Sequence, residues 1–147
     1  MSHPFDLLGW FDGSCSPQPG GIGGWGVVLR DNQKQLCKLS GTLPDGPDMT
    51  NNVAEFHACA NLLELIGDLA MKDWRVLVQG DSRLVISKMT AILRNKRSRK
   101  ERGKYVPEYL RARKNLFDLK HKGVIVHFQW IGREFNSEAD RLSVAHR

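Results

Sequence analysis

The strongest constraint on how this chain can fold is the order of its apolar runs. Three strand-length runs joined by turns come first, and strands separated by helix-length segments follow. Leu7 to Phe11 reads as a buried strand that ends where Asp12-Gly13-Ser14 turns the chain. The loop Ser16 to Gly21 leads to a second strand, Trp25 to Arg30, and Asp31-Asn32-Gln33 turns back into a third, Gln35 to Thr42. Pro44-Asp45-Gly46-Pro47 breaks this meander. Thr50 or Asn51 then caps a helix running to about Leu65, with Val53, Phe56, Ala60 and Leu63 as its apolar positions. Arg75 to Gln79 fits a central strand that pairs in parallel with the first. A helix from Ser82 to about Leu93 comes next, and another opens at Pro107 and runs from Glu108 to Lys122, where Gly123 stops it. Val124 to Ile131 alternates as a strand, and Ser137 to Ala145 forms a closing helix. The order predicts an α/β fold: a five-stranded mixed sheet flanked by helices.

The chain has 147 residues, 41% of them hydrophobic, which suffices for one core without disulfides or structural metal. A single domain over residues 1–147 is the expectation. Cys15, Cys37 and Cys59 are odd in number and show no C-x-x-C spacing, which argues against a disulfide framework and a zinc site. Without a basic, then apolar, leader or a run of about 18 apolar residues, no export and no membrane span is expected. The prediction is a cytoplasmic monomer. Arg94, Lys96, Arg97, Arg99, Lys100, Arg102 and Lys104 oppose only Glu101, so this one segment accounts for the formal net charge of +6. Such a cluster suits a polyanion, although a solvated helix end has the same composition.

Four acids, Asp12, Glu55, Asp81 and Asp140, each sit beside a chain-turning or helix-opening signal. Asp12 and Asp81 fall at the ends of the two strands paired at the centre of the sheet, while Glu55 and Asp140 fall in early helical turns, where the helix dipole favours negative charge. All four can converge on one rim. Carboxylates crowded at one point repel unless a cation neutralises them, which points to a hard divalent ion held by oxygen. Singly, each acid also has a plainer reading. Asp12 suits a turn before glycine, Asp81-Ser82 a helix cap, and Ser137-x-x-Asp140 a variant capping box.

The flanking residues sharpen the pattern. Phe11-Asp12-Gly13-Ser14-Cys15, Thr50-Asn51-Asn52-x-x-Glu55, Gly80-Asp81-Ser82 and Asn136-x-x-x-Asp140 resemble, in order and spacing, the type 1 ribonuclease H family over nearly the whole chain. That resemblance implies a ribonuclease H-like fold and endonucleolytic hydrolysis of the RNA strand of an RNA/DNA hybrid. It also implies two Mg2+ ions, with Mn2+ a possible substitute, and 5′-phosphate and 3′-hydroxyl ends. On the matching positions, Asp12 would bridge both ions, Asp140 would complete the ion at the attacking water, and Glu55 with Asp81 would hold the ion beside the leaving oxygen. No covalent side-chain nucleophile is needed, and no Ser and His share a triad signature here.

Three departures from the family pattern bear on mechanism. Many members carry a histidine on a loop before the last aspartate, whereas Trp130-Ile131 is followed here only by Gly132-Arg133-Glu134-Phe135. His127 alternates with Ile125 and Gln129 and reads as a surface residue. The shortened loop resembles compact members with an arginine at the position of Arg133. Its guanidinium contacts the scissile phosphate, substitutes for the missing proton shuttle, or simply pairs with Glu134 or Glu138. Gln18, Arg83 and Val53 stand where the family often has asparagine, glutamine and arginine.

Hybrid recognition calls for short polar groups and close backbone approach in a wide minor groove. Ser14, Cys15, Gln18, Thr50, Asn51, Asn52 and Arg83 are the candidates, together with Lys96, Arg97, Arg99 and Lys100 for the DNA strand. Trp10, Trp25, Trp74 and Trp130 read as core or strand residues rather than base-stacking platforms. Integrases, transposases and junction resolvases share such a fold and acidic cluster, but they usually lack Thr-Asn-Asn before the glutamate. A non-catalytic binding module would be expected to lose an acid.

Overall fold

In the computed structural model, residues 4–34, 36–95 and 100–145 are described. Strands β1 (Leu7–Ser16), β2 (Ile22–Asp31) and β3 (Leu36–Leu43) form the antiparallel meander. Helix α1 (Asn51–Leu69) leads to β4 (Arg75–Gly80), helices α2 (Arg83–Leu93) and α3 (Val106–Lys122) follow, and β5 (Ile125–Trp130) precedes a 3₁₀ turn and α4 (Ser137–Val144). The sheet order is β3-β2-β1-β4-β5, with β1, β4 and β5 parallel and β2 and β3 antiparallel; the meander, the parallel β1–β4 pair and the mixed sheet are as expected.

Two boundaries differ most from the expectation. β1 does not end at Phe11; it continues through Asp12-Gly13-Ser14 to Ser16, because β2 supplies partners as far as Ser16↔Ile22. Its parallel pairing with β4 does end early, at Trp10↔Gln79. The two edges of β1 therefore stop at different places, and only the β4 edge opens at Asp12. α1 also runs past Leu65 to Leu69, since Ile66 is fully buried and keeps the apolar stripe in register.

The main core lies between the sheet and α1, α2 and α3. Phe11, Phe56, Leu62, Leu63, Ile66, Val76, Val78, Met89, Tyr109, Leu116 and Leu119 are all essentially inaccessible to water. Tyr109 and Tyr105 pack against Phe56, edge-on and stacked respectively, which ties α3 to α1. α4 packs on β2 and β1 with its backbone very close to the sheet. A Cβ at Gly24 would fall 1.8 Å from the Ser143 carbonyl oxygen, so only glycine permits that approach. On β5, Ile125, His127 and Gln129 face outward as the alternation predicted, with the His127 ring 5.6 Å from that of Phe5.

Candidate active site

Asp12 and Asp81 each lie two residues beyond the Trp10↔Gln79 pair, so they leave adjacent parallel strands at the same level. Asp12 sits opposite Gly26, on the face that α4 covers. Glu55 reaches the same point from α1. The Thr50 hydroxyl caps that helix by accepting from the Val53 amide at 3.2 Å, and the helix start is pressed onto β1 at Gly13. A Cβ at Gly13 would lie 2.2 Å from the Ala54 carbonyl carbon; its absence lets the Gly13 amide donate to Glu55 Oε1 at 2.5 Å. Carboxylate oxygens of Asp12, Glu55 and Asp81 thus come within 4.8 Å of one another.

Asp140 enters from α4, within hydrogen-bonding reach of Asp12. The capping box that was the plainer reading of Ser137-x-x-Asp140 does not form: Asn136 occupies the cap position, and no side chain caps the helix. The Asn136 side-chain amide instead donates to the Phe11 carbonyl at 3.0 Å, while the Asn136 backbone carbonyl accepts the helical bond from the Asp140 amide at 3.0 Å. One residue, 1% exposed, therefore couples the last helix to the strand beside Asp12. All four acids line one open cleft of about 380 Å³, together with Gly13, Ser14, Asn51, Asn52, Ser82, Trp130 and Arg133.

Burial first, and then the neighbouring Glu55, Asp81 and Asp140, drive Asp12 far above the ordinary carboxylate range. Burial likewise pushes Glu55 up to about 7, with its hydrogen bonds to Asp12 and Gly13 acting in the opposite direction. Glu55 Oε2 is buried with no hydrogen-bond partner among the described residues. An oxygen-only donor set, mutual repulsion and one orphaned carboxylate oxygen suit a hard divalent cation.

The proposed substrate-facing side chains divide into two groups. Ser14 donates to the Ser143 carbonyl at 3.2 Å. Asn51 Oδ1 accepts from the Cys15 amide at 2.8 Å, and the Asn51 amide donates to Gln18 Oε1, so these residues knit the β1–β2 loop to the start of α1. Cys15 does not face the substrate side. Its thiol is buried against Leu43, Met49, Val53 and Ala54, because pleat alternation turns it inward beside Gly13. Asn52 is exposed at the cleft, and Arg83 is exposed beside it with its guanidinium 3.8 Å from the Trp130 ring centroid. Lys100 is exposed, while Lys96, Arg97 and Arg99 lie outside the described residues.

Arg133 is exposed at the cleft rim and its charge opposes the upward shift of Glu55. Among the described residues it makes no ion pair with Glu134 or Glu138, and Glu138 pairs instead with Lys38 at 3.1 Å. Trp130 was read only as a core or strand residue. It is indeed in β5, but it is 39% exposed and lines the cleft, with its indole N–H donating to the Asp81 carbonyl at 3.0 Å. The available signal was its place at the carboxyl end of a parallel strand.

Comparison with known proteins agrees with this fold. The family model described as "Reverse transcriptase-like" matches residues 10–146. A ribonuclease H of Anaeromyxobacter dehalogenans strain 2CP-C is 30% identical over 150 residues, covering 95% of this chain and 78% of that protein. Among solved structures, the N-terminal RNase H domain of a Mycobacterium tuberculosis protein superposes with a TM-score of 0.74 at 22% identity, covering 93% of this chain and 89% of the other. RNase H1 of Halobacterium salinarum gives 0.72 at 24% identity and 93% of both chains. LC11-RNase H1, solved in complex with an RNA/DNA hybrid, gives 0.73 at 24% identity and 92% of both. On this agreement of sequence and fold, the chain belongs to the ribonuclease H family of enzymes.

Proposed function

We propose that this protein hydrolyses the RNA strand of RNA/DNA hybrids internally, leaving 5′-phosphate and 3′-hydroxyl ends, with two magnesium ions held by Asp12, Glu55, Asp81 and Asp140. Manganese is the expected substitute. The observation that carries this reading is the convergence of three carboxylates within 4.8 Å, one of them with a buried oxygen lacking any partner. When bound, such ions supply a nucleophile from water at neutral pH and relieve charge on the departing 3′ oxygen.

The protein's own part is positioning. Asp12 belongs to the three-acid group and also reaches Asp140, which supports its assignment to both ion sites. Glu55 with Asp81 then serves the leaving-group side and Asp140 the attacking side. Gly13 fixes Glu55, and Asn136 fixes Asp140 relative to β1. Arg133, which lines the cleft and makes no ion pair among the described residues, donates to a phosphate oxygen at the rim, a job that needs no change in its charge. Ser14, Asn51 and Asn52, which line the cleft, and Arg83 beside it face the minor groove. Lys96, Arg97, Arg99 and Lys100 neutralise phosphates of the DNA strand.

Substrate class is tested with labelled hybrid, duplex DNA and duplex RNA in magnesium. Internal cuts only in hybrid RNA, with products that a ligase can seal, are expected. Equal cutting of duplex DNA would replace this reading with a resolvase- or integrase-like one.

A further inference from the structure

Trp130 touches two groups that the proposed reaction needs, by two different parts of its side chain. It is the last residue of β5 and pairs with Gly80, directly before Asp81. Its indole N–H donates to the Asp81 carbonyl at 3.0 Å, where the chain has left the ladder and makes the bend into α2. The face of the same ring carries the Arg83 guanidinium at 3.8 Å. Arg83 is the first residue of α2, where a positive charge opposes the helix dipole, and among the described residues no carboxylate pairs with it. Stacking on an indole stabilises a cation there and leaves the edge N–H groups of the guanidinium free to donate.

We infer that Trp130 is a positioning residue with two separable roles, fixing the Asp81 backbone through its N–H and seating Arg83 through its ring. The first role sets where the Asp81 carboxylate stands relative to Asp12 and Glu55. The second presents a donor fork to a phosphate of the nucleic acid at the cleft rim. Both rest on the hybrid-cleaving reading above, but they act on different measurements. A lost N–H loosens a metal ligand, whereas a lost guanidinium weakens the grip on the substrate.

Trp130→Phe keeps a ring for Arg83 and deletes the N–H. In substrate-free protein, calorimetric titration with magnesium should show about 3- to 10-fold weaker binding. KM for hybrid should stay within twofold at saturating magnesium, and so should the thermal transition midpoint within about 2 °C, given the 39% exposure of the residue. Arg83→Gln should do the reverse, raising KM about 3- to 10-fold with magnesium affinity unchanged. In the wild type, the Trp130 indole N–H resonance should shift on magnesium addition while that of Trp74, remote from the cleft, stays still.

Unchanged magnesium affinity in Trp130→Phe, or a Trp130 resonance indifferent to magnesium, overturns the first role. Unchanged KM in Arg83→Gln overturns the second. A wild type that binds magnesium yet leaves hybrid uncut overturns the hybrid reading, and with it the Arg83 role, while the magnesium titrations still decide the role of the N–H.

Discussion

At the scale of single residues, the site depends on close approaches that leave no room for a methyl group. Gly13→Ala forces its Cβ into the backbone of Ala54 and Glu55, so α1 must lift from β1. A destabilisation of about 1–3 kcal/mol is expected from such overpacking, with weaker magnesium binding because Glu55 moves with the helix. Denaturant unfolding and a magnesium titration of the same variant check both. Arg133→Ala should lower kcat about 10- to 100-fold with little effect on stability, because the side chain is exposed and makes no ion pair with Glu134 or Glu138. Unchanged turnover would remove Arg133 from the mechanism.

The elements show which parts of the site could be read from the chain and which could not. Asp12, Glu55, Asp81 and Asp140 were legible because each abuts a signal for where an element starts or stops, and strand ends and helix starts gather at one edge of a parallel sheet. The inward turn of Cys15 was not legible, since it depends on β1 continuing past the apparent turn at Gly13 with β2 as its partner. Nor was the role of Asn136, which entered the sequence reading only through its spacing to Asp140 while its side chain spans to the Phe11 carbonyl, 125 residues away in sequence. That bond predicts that Asn136→Ala costs about 1–3 kcal/mol and lowers turnover, because a buried carbonyl loses its donor and α4 its tether. A thermal melt beside a cleavage assay would show it. For the basic segment after α2, replacing Lys96, Arg97, Arg99 and Lys100 with Gln should raise KM and flatten its salt dependence while kcat survives. An unaltered salt slope would assign those charges to solvent.

For the molecule as a whole, the acid cluster makes folding and ion binding interdependent. Burial raises the Glu55 carboxyl from 4.5 to about 7, so the folded state without a cation keeps a proton that the unfolded chain has released. Between those values the folded state binds more protons than the unfolded one, and stability therefore falls as pH rises from about 4.5 through 7. If magnesium takes the proton's place as the neutralising charge, as the proposed function requires, the rise in melting temperature on adding it should be larger at pH 8 than at pH 5. Equal increments at both pH values would show that the cluster is not where the ion binds.

The most direct measurement follows an end-labelled RNA strand in a hybrid, with magnesium or with chelator, using wild-type protein and Asp12→Asn. Internal cleavage of the RNA that needs the ion, and that falls by on the order of 1,000-fold or more when Asp12 loses its charge, is expected. Cleavage that persists in chelator, or that Asp12→Asn retains at the wild-type rate, would contradict the proposed function.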